Sequence, residues 1–196
     1  MLSRVADSVY WMNRQIERAE NIARLLDAGF RLALTRGPGE ASVEWQSVLT
    51  TIGQNNEYRA RHDDYQGQSV TNWILRDKDN PGSVLNMIEM ARSNARAVRT
   101  ALTREVWEAT NESWMVLREL LARPVRASTL GEVLAAFFED ALGLALQPAL
   151  HRLADLLLRG GLGQAHVQGE LGHAGQGIGI AVELGTRDAR VQQHDH

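Results

Sequence analysis

Cysteine is absent from this 196-residue sequence, and that absence excludes disulfide frameworks, zinc ribbons, iron–sulfur clusters and thiol nucleophiles. It also fits a reducing compartment. Lysine is almost absent: Lys78 stands alone among 21 basic residues, and the arginines that make up the rest are balanced by 24 acids. No global positive field therefore favours nucleic acid. No run of 18 consecutive apolar residues occurs, and the opening Met1-Leu-Ser-Arg-Val-Ala-Asp7 carries charge where a signal peptide needs an apolar stretch. The expectation is a cytoplasmic protein that neither spans a membrane nor is exported. What remains is ample apolar content, 44% of the residues. A chain of this length can bury about 70% of its unfolded surface, enough for a core without disulfides or a structural metal.

Composition divides the chain near Pro124, because every Trp and Tyr precedes it and most of the Gly and His follows it. Three stretches result: 1–123, rich in helical periodicity; 124–159, apolar; and 160–196, rich in Gly and His. From Gly160 to Gly185 there is no aromatic residue and little large apolar content, too little to offset chain entropy, so a disordered tail is expected.

The clearest periodicity lies at the start. Val5, Val9, Met12, Ile16, Ala19, Ala23, Leu26, Phe30 and Ala33 recur by alternating fours and threes, a heptad-like seam that predicts a long amphipathic helix from Ser3 to Thr35, stopped by Arg36-Gly-Pro-Gly39. A shorter helix is predicted over Ser42–Gly53 from Val43, Ser47 and Thr50 beside Trp45, Val48 and Leu49. The polar stretch Gln54–Gly67, with Tyr58 and Tyr65 isolated in it, reads as a loop or frayed helix, and Val70–Leu75 is a short apolar run. Asn80 as N-cap with Pro81 at the first helical position opens a further helix whose face is Val84, Met87, Ile88, Ala91, Ala95, Val98 and Leu102. Arg104–Leu121 follows, with Trp107, Trp114, Leu117 and Leu121 at helical spacing, and Pro124 closes it. Thr129-Leu-Gly-Glu132 has the spacing of a capping box before Val133, Leu134, Phe137 and Phe138, and that helix runs through a break at Gln147-Pro148 to Arg159. The fold class is all-α, a helical bundle.

Opposite the first seam lies a polar stripe of Tyr10, Arg14, Glu17, Arg18 and Asn21, with Glu20 and Arg24 near its edge. Spacings of three and four let these charges pair along the helix, which suits an ordinary solvated face. A second possibility requires another helix to cover the stripe. Arg14 and Arg18 would then form a bidentate clamp for carboxylate or phosphate, with Glu17 orienting them or acting as an acid or base. Trp11 and Leu25, off the main seam, hint at burial on more than one side. Arg92, Arg96 and Arg99, with Asn94 between them, make a second basic stripe that suits either solvent or an anionic ligand.

Other motifs carry less. His166, His173, His194 and His196 sit where no rigid frame could hold a metal, so no metal site is expected. Gly175-Gln-Gly-Ile-Gly179 departs from the spacing of a phosphate loop and has neither a preceding strand nor a following helix. Before Pro124 there is one histidine, His62, which leaves nucleophilic triads without support.

Met1-Leu-Ser-Arg-Val-Ala-Asp-Ser-Val-Tyr-Trp-Met-Asn-Arg14 followed by Ile16-Glu-Arg-Ala-Glu-Asn-Ile-Ala-Arg-Leu-Leu-Asp27 resembles the bacterial alpha-E domain, which takes its name from a Glu-Arg motif. The order continues through Asp77, Asn80-Pro-Gly-Ser-Val84, Ala91-Arg-Ser-Asn-Ala-Arg96, Val98-Arg99, Glu105-Val-Trp-Glu108 and Asn111. The resemblance implies an all-helical fold with Glu17 and Arg18 as motif residues. It places Arg14, Asn21 and Arg24 beside them and Arg92, Asn94 and Arg96 in a second block. It also implies a setting: ATP-grasp-type ligases, transglutaminase-like peptidases and other amide-bond enzymes as protein partners in peptide modification. No cofactor is expected.

Within that setting two roles are open, a non-enzymatic binding component or scaffold, and an enzyme using Glu17 and Arg18. The likeness is expected to fail after about Arg123, where family members run on to a Gly-Trp segment and a second Glu-Arg helix. Either the reading frame shifts there, making Leu130–Leu158 an accidental apolar stretch in a product without function, or the C-terminal third is a genuine divergent one.

Overall fold

The structure, a computed structural model, describes residues 2–37 and 40–139. These fall within one compact unit, Met1–Leu153, and the unit Ala154–His196 lies outside the described residues, as do the part of the expected last helix from 140 to Arg159, the tail and its histidines. All described elements are helical: α1 (Leu2–Thr35), α2 (Ala41–Thr51), α3 (Asn55–Arg59), α4 (Gly67–Arg76), α5 (Val84–Ala97), α6 (Arg104–Leu120) and α7 (Leu130–Ala136), with 3-10 turns at Arg99–Ala101 and Ala127–Thr129. An all-α bundle is thus what the periodicity produces.

The 34 residues of α1 form the spine. Val9, Met12, Ile16, Ala19, Ala23 and Leu26 of its seam are buried. α5 and α2 pack against this helix, α6 packs on α5, and α7 returns to α1. Each fully covered Leu, Ile or Met contributes roughly 1.5–3 kcal/mol of transfer free energy. The small residues matter as much, because Ala19, Ala23 and Gly29 let neighbours approach closely. A Cβ at Gly29 would collide with the Val48 side chain of α2.

Several local expectations are corrected. In α2 the buried residues are Trp45, Val48 and Leu49, while Val43 is exposed, and the helix ends before Gly53, whose φ of 75° requires the left-handed conformation glycine tolerates. The polar stretch after it is built around a wholly buried Tyr58. Its ring stacks 4.2 Å from His62 and 5.8 Å from Tyr65 and meets Trp73 edge-on at 5.9 Å, while Tyr65 Oη donates to Asn55 Oδ1 at 2.7 Å. Tyr58 and Tyr65 are therefore one aromatic nucleus, invisible to periodicity because short α3, the turn after it and α4 each supply part of it. The apolar run Val70–Leu75 belongs to α4, a full helix.

Asn80 does not cap α5; Ser83 does, its Oγ accepting from Asn86 N at 3.4 Å. Asn80 is instead 3% exposed and ties the turn together. Its Nδ2 donates to Trp73 O at 2.9 Å and Gln54 Oε1 at 2.8 Å, and its Oδ1 accepts from Gly82 N at 3.0 Å. The capping box at Thr129 is also absent, since Thr129 Oγ1 accepts from Arg126 N and donates to Arg126 O instead of reaching into α7.

The tyrosine nucleus has a pH signature. Burial, with a smaller contribution from the charge of Asp64 and against an opposing contribution from the Ser69 side chain, pushes the Tyr58 phenol up to about 12 from its ordinary 10.0. Folding thus favours the protonated phenol. That stability is fully present below pH 10 and is lost as pH climbs toward 12. Urea midpoints measured at about pH 9 and about pH 11.5 are expected to fall with pH, and Tyr58→Phe is expected to flatten that slope.

Candidate functional site

The stripe carrying the Glu-Arg pair lies on the outer face of α1. Arg14 and Glu17 side chains are each 51% exposed and stand 3.7 Å apart, and Arg18 and Asn21 are exposed as well. Such an open pair contributes at most about 1 kcal/mol. Arg18 makes no hydrogen bond or ion pair with another described residue. The covering helix that an anion clamp needs is not among the described residues. Instead the stripe is bordered by unburied apolar groups: Tyr10 and Trp11, 52% and 49% exposed and edge-to-face at 5.3 Å, then Leu25 at 37% and Leu32 at 52%. Along its edge, Arg24 Nη2 meets Glu20 Oε1 at 2.7 Å and Arg31 Nε meets Asp27 Oδ2 at 2.9 Å. Arg24 also lies 5.1 Å from the centre of the Phe138 ring, just past α7.

The second block is not brought to the first: no hydrogen bond or ion pair among the described residues joins Arg92, Asn94 or Arg96 to Arg14, Glu17 or Arg18. Asn94 Nδ2 donates to Met90 O in its own helix, at 3.0 Å, and Arg96 is exposed. Arg92 turns to α6, where its guanidinium lies 4.0 Å from the centre of the Trp114 ring and its Nε donates to Asn111 Oδ1 at 2.8 Å. Arg118 lies 5.2 Å from the same ring, and Arg99 lies 5.3 Å from Trp107. The two tryptophans are therefore platforms for arginine and not core residues. Sequence reasoning missed this ladder although its signal was present: Arg92 and Arg99 are seven apart, and so are Trp107 and Trp114, which matches them pairwise across an antiparallel α5–α6 hairpin. Two shallow clefts follow it, about 380 Å³ beside Arg99, Trp107 and Arg104, and about 290 Å³ beside Trp114, Met115 and Arg118. Arg104 Nε pairs with Glu108 at 2.7 Å, so the first cleft is not a bare cationic site.

The segment past Pro124 is built into the bundle. Asn72 Nδ2 donates to Val125 O and Val125 N donates to Asn72 Oδ1, both at 2.9 Å, while Arg76 Nε donates to Leu121 O at 2.8 Å. Val125, Leu130, Leu134 and Phe137 are buried. Over 125–139 these apolar residues pack into the bundle, with α7 lying against α1.

Among the described residues there is no helix long and apolar enough to cross a membrane. An all-helical domain whose longest helix displays a Glu-Arg pair on an outer face is the class these features define. The chain belongs to the Alpha-E family, a predicted alpha-helical domain with a conserved ER motif, whose model matches residues 1–152. The match runs well past Arg123, so the break expected there is not where the likeness ends. The chain is similar to an uncharacterised protein of Mycobacterium bovis, 29% identical over 93% of this chain and 21% of the relative. Uncharacterised proteins from two strains of Mycobacterium tuberculosis are 29% and 28% identical with the same coverage. The chain thus spans about a fifth of the length of the curated relatives it matches. No solved structure matches it.

Proposed function

We propose that this chain is a docking domain, an accessory component of a cytoplasmic ATP-dependent system that modifies peptides or makes amide bonds. It engages its protein partner through the outer face of α1. The observation that supports this reading is the company the Glu-Arg pair keeps: an open stripe bounded by exposed Trp11, Leu25 and Leu32. Catalysis by a carboxylate wants a desolvated, shaped pocket, whereas a protein interface wants exposed aromatic and arginine anchors on a rigid element. The partners are those the family resemblance implies, an ATP-grasp-type ligase or a transglutaminase-like peptidase.

The alternative, that Glu17 acts as an acid or base on a bound peptide, keeps the same residues and changes their job. Pull-down of an ATP-grasp-type ligase from the same genome separates the two. Trp11→Ala with Arg18→Ala is expected to weaken capture at least about tenfold, since buried aromatic and arginine anchors dominate interfaces. Glu17→Gln is expected to leave amide-forming turnover of the reconstituted system in place. Turnover abolished by Glu17→Gln with capture intact would transfer the residue to catalysis.

A further inference from the structure

The arginines of the α5–α6 ladder are held in place but not neutralised. Elsewhere the same residue type finds a carboxylate: Arg24 meets Glu20 at 2.7 Å, Arg31 meets Asp27 at 2.9 Å and Arg104 meets Glu108 at 2.7 Å. Arg92, Arg99 and Arg118 lie instead 4.0, 5.3 and 5.2 Å from the centres of tryptophan rings, and none of them makes an ion pair among the described residues. Glu89 stands three residues before Arg92, a spacing at which helix charges pair, and the two do not pair. Arg96, exposed, lies between Arg92 and Arg99 at helical spacing from both.

A guanidinium lying on a ring keeps its N–H donors in its own plane, able to grip an oxyanion through two parallel bonds, and its rotamers are restricted before any ligand arrives. Arg92 commits only its Nε to a described neighbour, Asn111 Oδ1 at 2.8 Å. Charge and shape together select the ligand. Nucleobases stack on bare aromatic faces, and here guanidinium groups lie over them; Glu108, Glu112 and Glu119 on α6 also repel a continuous phosphate backbone, whereas separate carboxylates can settle between them. The spacing narrows the choice further. Trp107 and Trp114 are seven residues apart in α6, about 10.5 Å along its axis. A peptide in the extended polyproline II form returns to the same face every third residue, about 9.3 Å on. Its carboxylates at i and i+3 therefore reach Arg99 and Arg92 in turn, and the long arginine side chains absorb the difference. The clefts of about 380 Å³ beside Arg99 and about 290 Å³ beside Arg118 are shallow seats for the side chains between.

We propose that the α5–α6 ladder binds an acidic peptide in extended conformation, with carboxylates three residues apart taken by Arg92 and Arg99 while Arg96 and Arg118 add to the local positive field. The site is separate from the outer face of α1: that face holds the protein partner, and the ladder holds the peptide on which the system acts. Only this last assignment rests on the function proposed above; the binding of the peptide does not.

The probe is a fluorescein-labelled peptide of Glu-Pro-Ser repeats, with glutamate at every third position, titrated with the full chain and followed by fluorescence anisotropy. Saturable binding is expected. Arg99→Gln, at an exposed position, is expected to weaken it at least about fivefold, the loss of one charge-assisted contact. Arg92→Lys with Arg99→Lys keeps the charge and removes the planar fork, and is still expected to weaken binding at least about threefold, which a diffuse positive field would not do. An isomeric peptide with its glutamates contiguous is expected to bind at least about threefold more weakly than the repeat. No saturable binding, an Arg99→Gln variant or a lysine pair that binds as the unsubstituted chain does, equal affinity for the isomer, or tighter binding of an oligothymidylate of equal charge each overturns the proposal. Failure here and failure of the docking face are read separately, because ligase capture is scored on Trp11→Ala with Arg18→Ala and peptide binding on the arginines of the ladder.

Discussion

Replacing Trp73 by alanine is expected to lower the unfolding free energy by about 3–5 kcal/mol, the range for removing a large buried aromatic. Trp73 is 2% exposed, and its ring carries Tyr58 at 5.9 Å, His62 at 5.7 Å and the Arg61 guanidinium at 5.5 Å. Its carbonyl accepts from Asn80, so the residue joins α4 to the turn that launches α5. Alanine leaves a cavity beside Tyr58, His62 and the turn at Asn80, and close-packed neighbours collapse into such a space only in part. Thermal unfolding followed by far-UV circular dichroism is expected to drop by roughly 10 °C, since each kcal/mol shifts a domain of this size by about 2–4 °C. Trp73→Phe keeps a ring for Tyr58 and His62 to pack on and is expected to lose less than half as much. Equal losses for the two would show that the indole's full volume, and not the aromatic nucleus, holds α4 in place.

The second large effect is expected at Phe137→Ala, again about 3–4 kcal/mol by urea denaturation. Phe137 is 2% exposed and lies 13 residues past Pro124, where composition changes most abruptly. The outcome bears on function as well as stability. Were α7 a mere appendage, truncating Phe137 would leave the main transition unmoved. Coupling of one ring past Pro124 to the whole transition instead makes residues up to 139 an obligatory part of the domain, in accord with a family match that extends to 152.

Much of this was legible locally. The period of Val9, Met12, Ile16, Ala19, Ala23 and Leu26 reports a long helix with a buried seam before any fold is known, because 3.5-residue spacing is a property of the chain itself. The Glu17-Arg18 pair and its neighbours were likewise legible as a stripe on one face. Contacts made across loops were not. Tyr58 looked isolated, yet its partners are His62, Tyr65 and Trp73. Asn80 had the placement of a cap, and its amide was drawn instead to Trp73 O and Gln54. The Arg–Trp ladder needed two spacings of seven, one running from α5 into the 3-10 turn after it and one in α6, to be laid against each other.

By itself, then, the sequence determined an all-helical chain and a spine helix with an apolar seam on one side and a polar stripe on the other. What covers the seam, and that no described helix covers the stripe, was decided by tertiary structure. Ala19, Ala23 and Gly29 admit close neighbours on one side, whereas Arg14 and Arg18 on the other would have to shed water to be covered. A helix period is written in local spacing, but burial is a competition among faces for the few surfaces the rest of the chain supplies, and only the assembled bundle settles it.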